Sequence, residues 1–216
     1  MTPSRAAPPA FRFLALGDSY TIGEGVAAAE RWPDHLVRLL ALRGVRVAHP
    51  DIVAATGWTT DELQAGIDAA ALRPPYDLVS LLVGVNNQYR GRSLAEYRDQ
   101  FRTLLARAVN LAGGAPGRVL VLAIPDWGVT PFAAGRDRAR IAVEIEQFNR
   151  VNREEAERAA ARHVDVLPAS RLAADAPHLT AADGLHPAGA MYARWAELAV
   201  PHALAALGTH AIFPSS

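Results

Sequence analysis

The chain has 216 residues, half of them apolar and 20% charged, with 22 basic against 22 acidic residues and no cysteine. That length suits one domain with a substantial core, and two full domains would be cramped. Zero formal net charge and no basic tract argue against nucleic acid or an anionic bilayer as partner, and the lack of cysteine excludes disulfides, thiolate catalysis and cysteine-ligated metals.

The start, MTPSRAAPPAFRFLALG, has no apolar run before its prolines and does not read as a signal peptide. No stretch approaches the roughly 18 uninterrupted apolar residues of a membrane span. A cytoplasmic location is the default expectation, and the oligomeric state stays open. Residues 1–10 read as a loose arm, 11–207 as a single domain and 208–216 as a tail.

FRFLAL (11–16) is the first strand candidate, followed by a loop through Gly25. A helix opens near Trp32 and Pro33, since proline suits a first helical turn, and stops at Gly44. VRVAHP (45–50) reads as a second, more polar strand. Thr59 and Glu62 have the spacing of a capping box and open a helix over 60–72. Pro74-Pro75 ends it, and DLVSLLVG (77–84) is the clearest buried strand. Ser93 and Glu96 repeat the capping spacing. Leu94, Tyr97, Phe101, Leu104, Leu105 and Ala108 then share one face of a helix reaching Leu111. RVLVLAI (118–124) is the fourth strand, and the segment 125–137 has little pattern. A helix over about 138–161 precedes HVDVLP (163–168), the fifth strand. After an irregular stretch to His186, Met191, Trp195 and Leu198 mark the last helix. Strands alternating with helices predict an α/β fold, an open five-stranded parallel sheet covered on both faces.

In such sheets ligands bind beyond the carboxyl ends of the strands, where the strand order reverses. Ser19 follows strand one, Gly57 strand two, Asn86 and Asn87 strand three, Asp126 and Trp127 strand four, and Asp183 and His186 strand five. For the order 2-1-3-4-5, Ser19 falls beside Asn86. These residue types suit acyl transfer. A serine hydroxyl needs a base, histidine is one near neutral pH, and the histidine needs an acceptor to hold its other ring nitrogen. DGLHP supplies Asp183 and His186 three residues apart. Asn86 offers a side-chain N–H to a developing oxyanion, and Ser19 and Gly57 offer backbone N–H groups.

Each signal alone has a plainer reading. Ser19 could cap a helix, Gly57 and the Asn86-Asn87 pair could only form turns, and Asp183 could complete a capping box with Thr180. The other histidines, at 35, 49, 163, 178, 202 and 210, lack the acid-and-turn context and read as surface or packing residues. GEGVAA (23–28) fits a relaxed dinucleotide pattern, with Asp51 after strand two as a ribose acid. The spacing opposes it, because Gly23 comes six residues after Gly17 and the helix later still. The Walker A pattern and the zinc motif H-E-x-x-H are absent.

The motifs LALGDSYTIGEG, ATGWTTDEL, GVNN and DGLHP, in this order and each after its strand, resemble the GDSL or SGNH hydrolase family of esterases and lipases. The resemblance implies a three-layer flavodoxin-like fold with strand order 2-1-3-4-5. It also implies Ser19 as nucleophile, Asp183 and His186 as acid and base, and Ser19, Gly57 and Asn86 as oxyanion donors. The chain departs from the family pattern at Asn87, where the family carries aspartate, and at Tyr20, where leucine is commoner. The expected reaction is hydrolysis of a small-molecule or sugar ester, with short acyl or acetyl groups favoured and no metal or organic cofactor required. A carbohydrate O-acetylesterase and a non-catalytic α/β ligand-binding protein are the alternatives. Tyr20, Trp58, Asn87, Tyr89, Trp127 and Phe132 are candidates for the substrate pocket, with 125–137 as a partial lid and 169–182 as the opposite wall.

Overall fold

The computed structural model describes residues 9–209; most of the expected arm and tail, and His210, lie outside them. Five strands form one parallel sheet: β1 (Phe13–Gly17), β2 (Asp51–Ala54), β3 (Leu78–Leu82), β4 (Val119–Leu122) and β5 (Arg162–Val164), in the order β2-β1-β3-β4-β5. β1 is an interior strand and pairs with β2 from Leu14 opposite Asp51 and with β3 from Phe13 opposite Leu78. Every residue of β1, β3 and β4 is buried, as expected of parallel strands covered on both faces.

Helices cover the two faces. α2 (Trp32–Ala41) packs on the long terminal helix α8 (Gly189–Ala206), and α8 also lies against β4 and β5. The opposite layer holds α3 (Thr60–Ala69), α5 (Leu94–Leu111) and α6 (Arg138–Arg158). Trp32 and Trp195 are completely buried between α2, α8 and the sheet, with the Phe13 ring edge-on to Trp32 at 6.2 Å. On the other side Tyr97 stacks on Phe148 at 4.6 Å and donates its hydroxyl to the Val83 carbonyl.

The second strand departs from expectation. Residues 45–50 do not form it; β2 begins at Asp51. Val45 is drawn into closing α2 by its N–H bond to the Leu40 carbonyl, and the stretch 46–48 forms an isolated bridge with Phe11. Pro50 has no N–H to give a ladder, so pairing with β1 starts one residue later. The correction moves Asp51 to the amino end of β2, away from the rim where a ribose would bind, and removes the last support for a dinucleotide site. β5 is also shorter than 163–168: Pro168 stands in the first turn of α7 (Leu167–Arg171), a position it favours.

Two short helices absent from the sequence reading stand at the carboxyl rim. α1 (Ser19–Ile22) begins directly after β1, and α4 (Val85–Tyr89) after β3. α4 is set off by Gly84 at φ +132, where a Cβ would stand 2.5 Å from the Tyr97 hydroxyl; only glycine turns the chain there. Beyond β4, Asn149 of α6 accepts from the Ile124 N–H at 2.7 Å and donates to the Ile124 carbonyl at 2.8 Å. This fixes the exit toward Asp126 and Trp127. Replacing Asn149 with alanine strands both buried backbone groups and should cost about 2–4 kcal/mol, read as a lowered urea midpoint at unchanged slope. An unchanged midpoint would show that the exit holds itself.

Candidate active site

The rim gathers the five expected site residues. Asp18 caps α1 by accepting the Tyr20 N–H at 3.0 Å, which places Ser19 in the first helical turn. The N–H groups of Ser19 and Gly57 have no hydrogen-bond partner among the described residues. Ser19, Gly57, Asn86 and His186 line one cavity of about 170 Å³, together with Tyr20, Thr56, Val85, Tyr89, Trp127, Phe132 and Leu185.

His186 is 8% exposed and the preceding turn folds Asp183 onto it. The Asp183 carboxylate accepts the Leu185 and His186 amides on Oδ1, at 2.9 and 3.0 Å, and meets the His186 Nδ1 with Oδ2 at 2.6 Å. Burial pushes this carboxyl up, but the bonds from the ring and the two amides outweigh it and hold it below its ordinary value. Nδ1 thus carries the proton toward Asp183, and Nε2 is left as the basic nitrogen. Asp183 forms no capping box with Thr180, whose hydroxyl has no partner among the described residues.

α4 and its C-cap residue Arg90 hold the segment 57–60 by three anchors. Asn86 Nδ2 donates to the Trp58 carbonyl at 2.9 Å, and Arg90 Nη2 donates to the Gly57 carbonyl at 2.6 Å. Asn87 accepts the Thr60 N–H at 3.1 Å and donates to the Thr60 hydroxyl at 2.7 Å. Asn86 keeps a second amide N–H beyond the one given to Trp58. Gly57 has φ +83, a left-handed conformation that a side chain would strain.

Of the pocket candidates, Tyr20, Tyr89, Trp127 and Phe132 line the cavity, whereas Trp58 and Asn87 do not. The Trp58 ring lies over Gly66 of α3, so close that a Cβ on Gly66 would meet it at 2.3 Å. Asn87 is fully buried and occupied by Thr60. The stretch 125–137 does wall the cavity, through Trp127 and Phe132 in two 3-10 turns. Thr56, Val85 and Leu185 were not anticipated. All three adjoin motif residues, Thr56 before Gly57, Val85 before Asn86 and Leu185 before His186, and that adjacency was the available signal. Among the described residues no group of three or more His, Cys, Asp or Glu is placed to hold a metal ion, and no helix is long and apolar enough to cross a membrane.

Asp18 is the unusual ionisable group. Its side chain is fully buried, Oδ2 has no partner among the described residues, and loss of water pushes its pKa up to about 7 against the partial relief of the Tyr20 N–H. The folded state therefore keeps a proton that the unfolded chain has already released, so this group's contribution to stability falls as pH rises through 7. Asp18→Asn keeps a cap acceptor and removes the titration. Urea unfolding should show the wild type losing on the order of 2 kcal/mol relative to D18N between about pH 5 and about pH 9. A pH-independent difference would contradict the buried, unpaired carboxyl.

A family model described as the GDSL-like Lipase/Acylhydrolase family matches residues 15–194. No curated protein sequence matches the chain. Among solved structures, a crystal structure of TesA is similar with a TM-score of 0.69 at 24% identity, over 88% of this chain and 97% of that one. A lipase/acylhydrolase from Enterococcus faecalis gives 0.70 at 21% identity, over 90% and 95%. An acetylxylan esterase from Geobacillus stearothermophilus gives 0.67 at 20% identity, over 95% and 97%. These similarities bear on the fold.

Proposed function

The chain belongs to the GDSL-like lipase/acylhydrolase family and is a serine hydrolase acting on esters, and on that premise we propose that it cleaves short-chain acyl or acetyl esters through an acyl-enzyme on Ser19. The observation that carries the reading is the convergence of Ser19, Gly57, Asn86 and His186 on one small cavity, with His186 held to Asp183 at 2.6 Å.

His186 Nε2 takes the Ser19 proton as the serine oxygen bonds to the ester carbonyl carbon. The carbonyl oxygen gains the electron pair, and the N–H groups of Ser19 and Gly57 and the remaining amide N–H of Asn86 receive it. Each such donor contributes about 3–4 kcal/mol in enzymes of this kind. Asp183 stabilises the imidazolium that forms. As the tetrahedral species collapses, the carbon–oxygen bond to the alcohol breaks and His186 returns the proton to the leaving oxygen. Water then enters by the same route, leaving free acid and Ser19.

The short-chain preference rests on volume. A cavity of about 170 Å³ falls below the roughly 300–1,000 Å³ of sites for drug-sized ligands, and Trp127, Phe132 and Leu185 wall it. A carbohydrate O-acetyl ester is the second reading, favoured by a polar trough of about 460 Å³ that shares Tyr89 and Trp127 with the cavity; acetyl release from acetylated xylan tests it.

On p-nitrophenyl esters, Ser19→Ala and His186→Ala should each lose at least about 10³-fold in kcat while keeping the wild-type fold. A fluorophosphonate should label the wild type and not S19A. Equal rates in all three proteins, or labelling that survives in S19A, would sink the assignment. Across acyl lengths, kcat/KM should peak between acetyl and butyryl; a maximum at dodecanoyl would overturn the short-chain reading.

A further inference from the structure

The rings of Tyr89, Trp127 and Phe132 form a triangle in the cavity wall, with centroids 5.5, 6.0 and 6.3 Å apart. The Arg136 guanidinium stands over all three, 5.3 Å from Tyr89, 5.4 Å from Trp127 and 5.1 Å from Phe132, and donates to the Tyr89 hydroxyl at 3.2 Å. Tyr89, Trp127 and Arg136 also line the polar trough beyond the catalytic cavity, so the arginine marks the passage from one to the other.

Three arginines line that trough, and they differ in what they already hold. Arg92 is paired with Glu96 and Asp61, and Arg140 with Glu144. Arg136 forms no ion pair among the described residues. Its neighbour Asp137 is turned away to accept the Arg140 amide as the cap of α6, and Glu144 is occupied by Arg140 and Gln88. A guanidinium set among three rings loses rotamer freedom, and beyond the Nη2 bond to Tyr89 it keeps N–H donors for an oxyanion.

The trough that continues from the cavity past Tyr89 and Trp127 offers room for the alcohol part of the ester. Phe132 N–H donates to the Gly184 carbonyl at 2.9 Å, within the turn that carries Asp183 and His186. The ring triangle is therefore tied to the base that must protonate the departing alcohol. We propose that Arg136 is the subsite for an anionic oxygen group carried by the alcohol part of the ester, so that the enzyme selects esters whose leaving alcohol bears a negative charge. This rests on the esterase reading above and adds the substrate class.

The test compares kcat/KM for 3-acetoxybenzoate and its neutral counterpart 3-acetoxybenzamide in wild type, Arg136→Gln and Arg136→Lys. The anion-to-neutral ratio should be about fivefold higher in wild type than in R136Q, the order expected for a partly exposed charged hydrogen bond. It should lie between the two in R136K, and added salt should lower the wild-type ratio toward that of R136Q. The same ratio in wild type and R136Q, including equal loss on both esters, would reduce Arg136 to a packing role and overturn the proposal. A second pair with the charge on the acyl side, p-nitrophenyl hemisuccinate and its succinamate, should show no such change; a change confined to this pair would overturn the placement on the alcohol. If the wild type turned over neither acetyl ester, the esterase reading itself would fail, a result distinct from an unchanged ratio.

Discussion

The rim depends on the grip of α4 on the segment 57–60. The order β2-β1-β3 brings the exits of an edge strand and a central strand to either side of β1, but no backbone ladder joins the loops that follow them. Side chains make the join. Asn86 and Arg90, four residues apart and so on one face of the helical turn, donate to the successive carbonyls of Trp58 and Gly57, while Asn87 grips Thr60 at the start of α3. One short helix thereby sets the Gly57 peptide and the Asn86 amide relative to each other. Two donors proposed for one oxyanion, coming from different loops, need that relation, because a displacement of even an ångström weakens their contact with the transition state.

The same grip gives a physical account of asparagine at position 87. An aspartate there is acceptor-only and would require the Thr60 hydroxyl to donate to it. Asparagine accepts the Thr60 N–H and donates to the Thr60 hydroxyl, which in turn donates to Gln100. The chain of bonds runs in the other direction, each group keeps a partner, and no charge is buried. The departure from the family pattern is therefore compensated by the residues around it. Asp18 is different: it is buried beside Ser19, the Tyr20 N–H relieves it only in part, and its Oδ2 has no partner among the described residues.

Much of this was legible in the sequence, for reasons that can be named. The buried runs of β1, β3 and β4, the face of α5 and the rim rule placed Ser19, Asn86 and His186 near one another, because parallel sheets send all their loops of one kind to one side. Asp183 and His186 were readable because their contact is local, within one turn. What failed depended on longer range. Val45 and Val47 have strand propensity, but the closure of α2 and the missing N–H of Pro50 decide where pairing with β1 starts. Trp58 follows Gly57 in the motif yet is captured by bare space over Gly66, eight residues further along. Arg136 shows no motif at all, since its position over three rings, one from α4 and two from the segment 125–137, exists only in the folded chain.

The central claim is that Ser19 carries the acyl group during turnover. The most direct measurement is to quench the enzyme in acid while it hydrolyses p-nitrophenyl acetate and to map the acetyl group by peptide mass spectrometry. Acetylation on the Ser19 peptide, absent from S19A, is the predicted result. Rapid turnover with no modified Ser19, or an acetyl group that persists in S19A, would contradict the account.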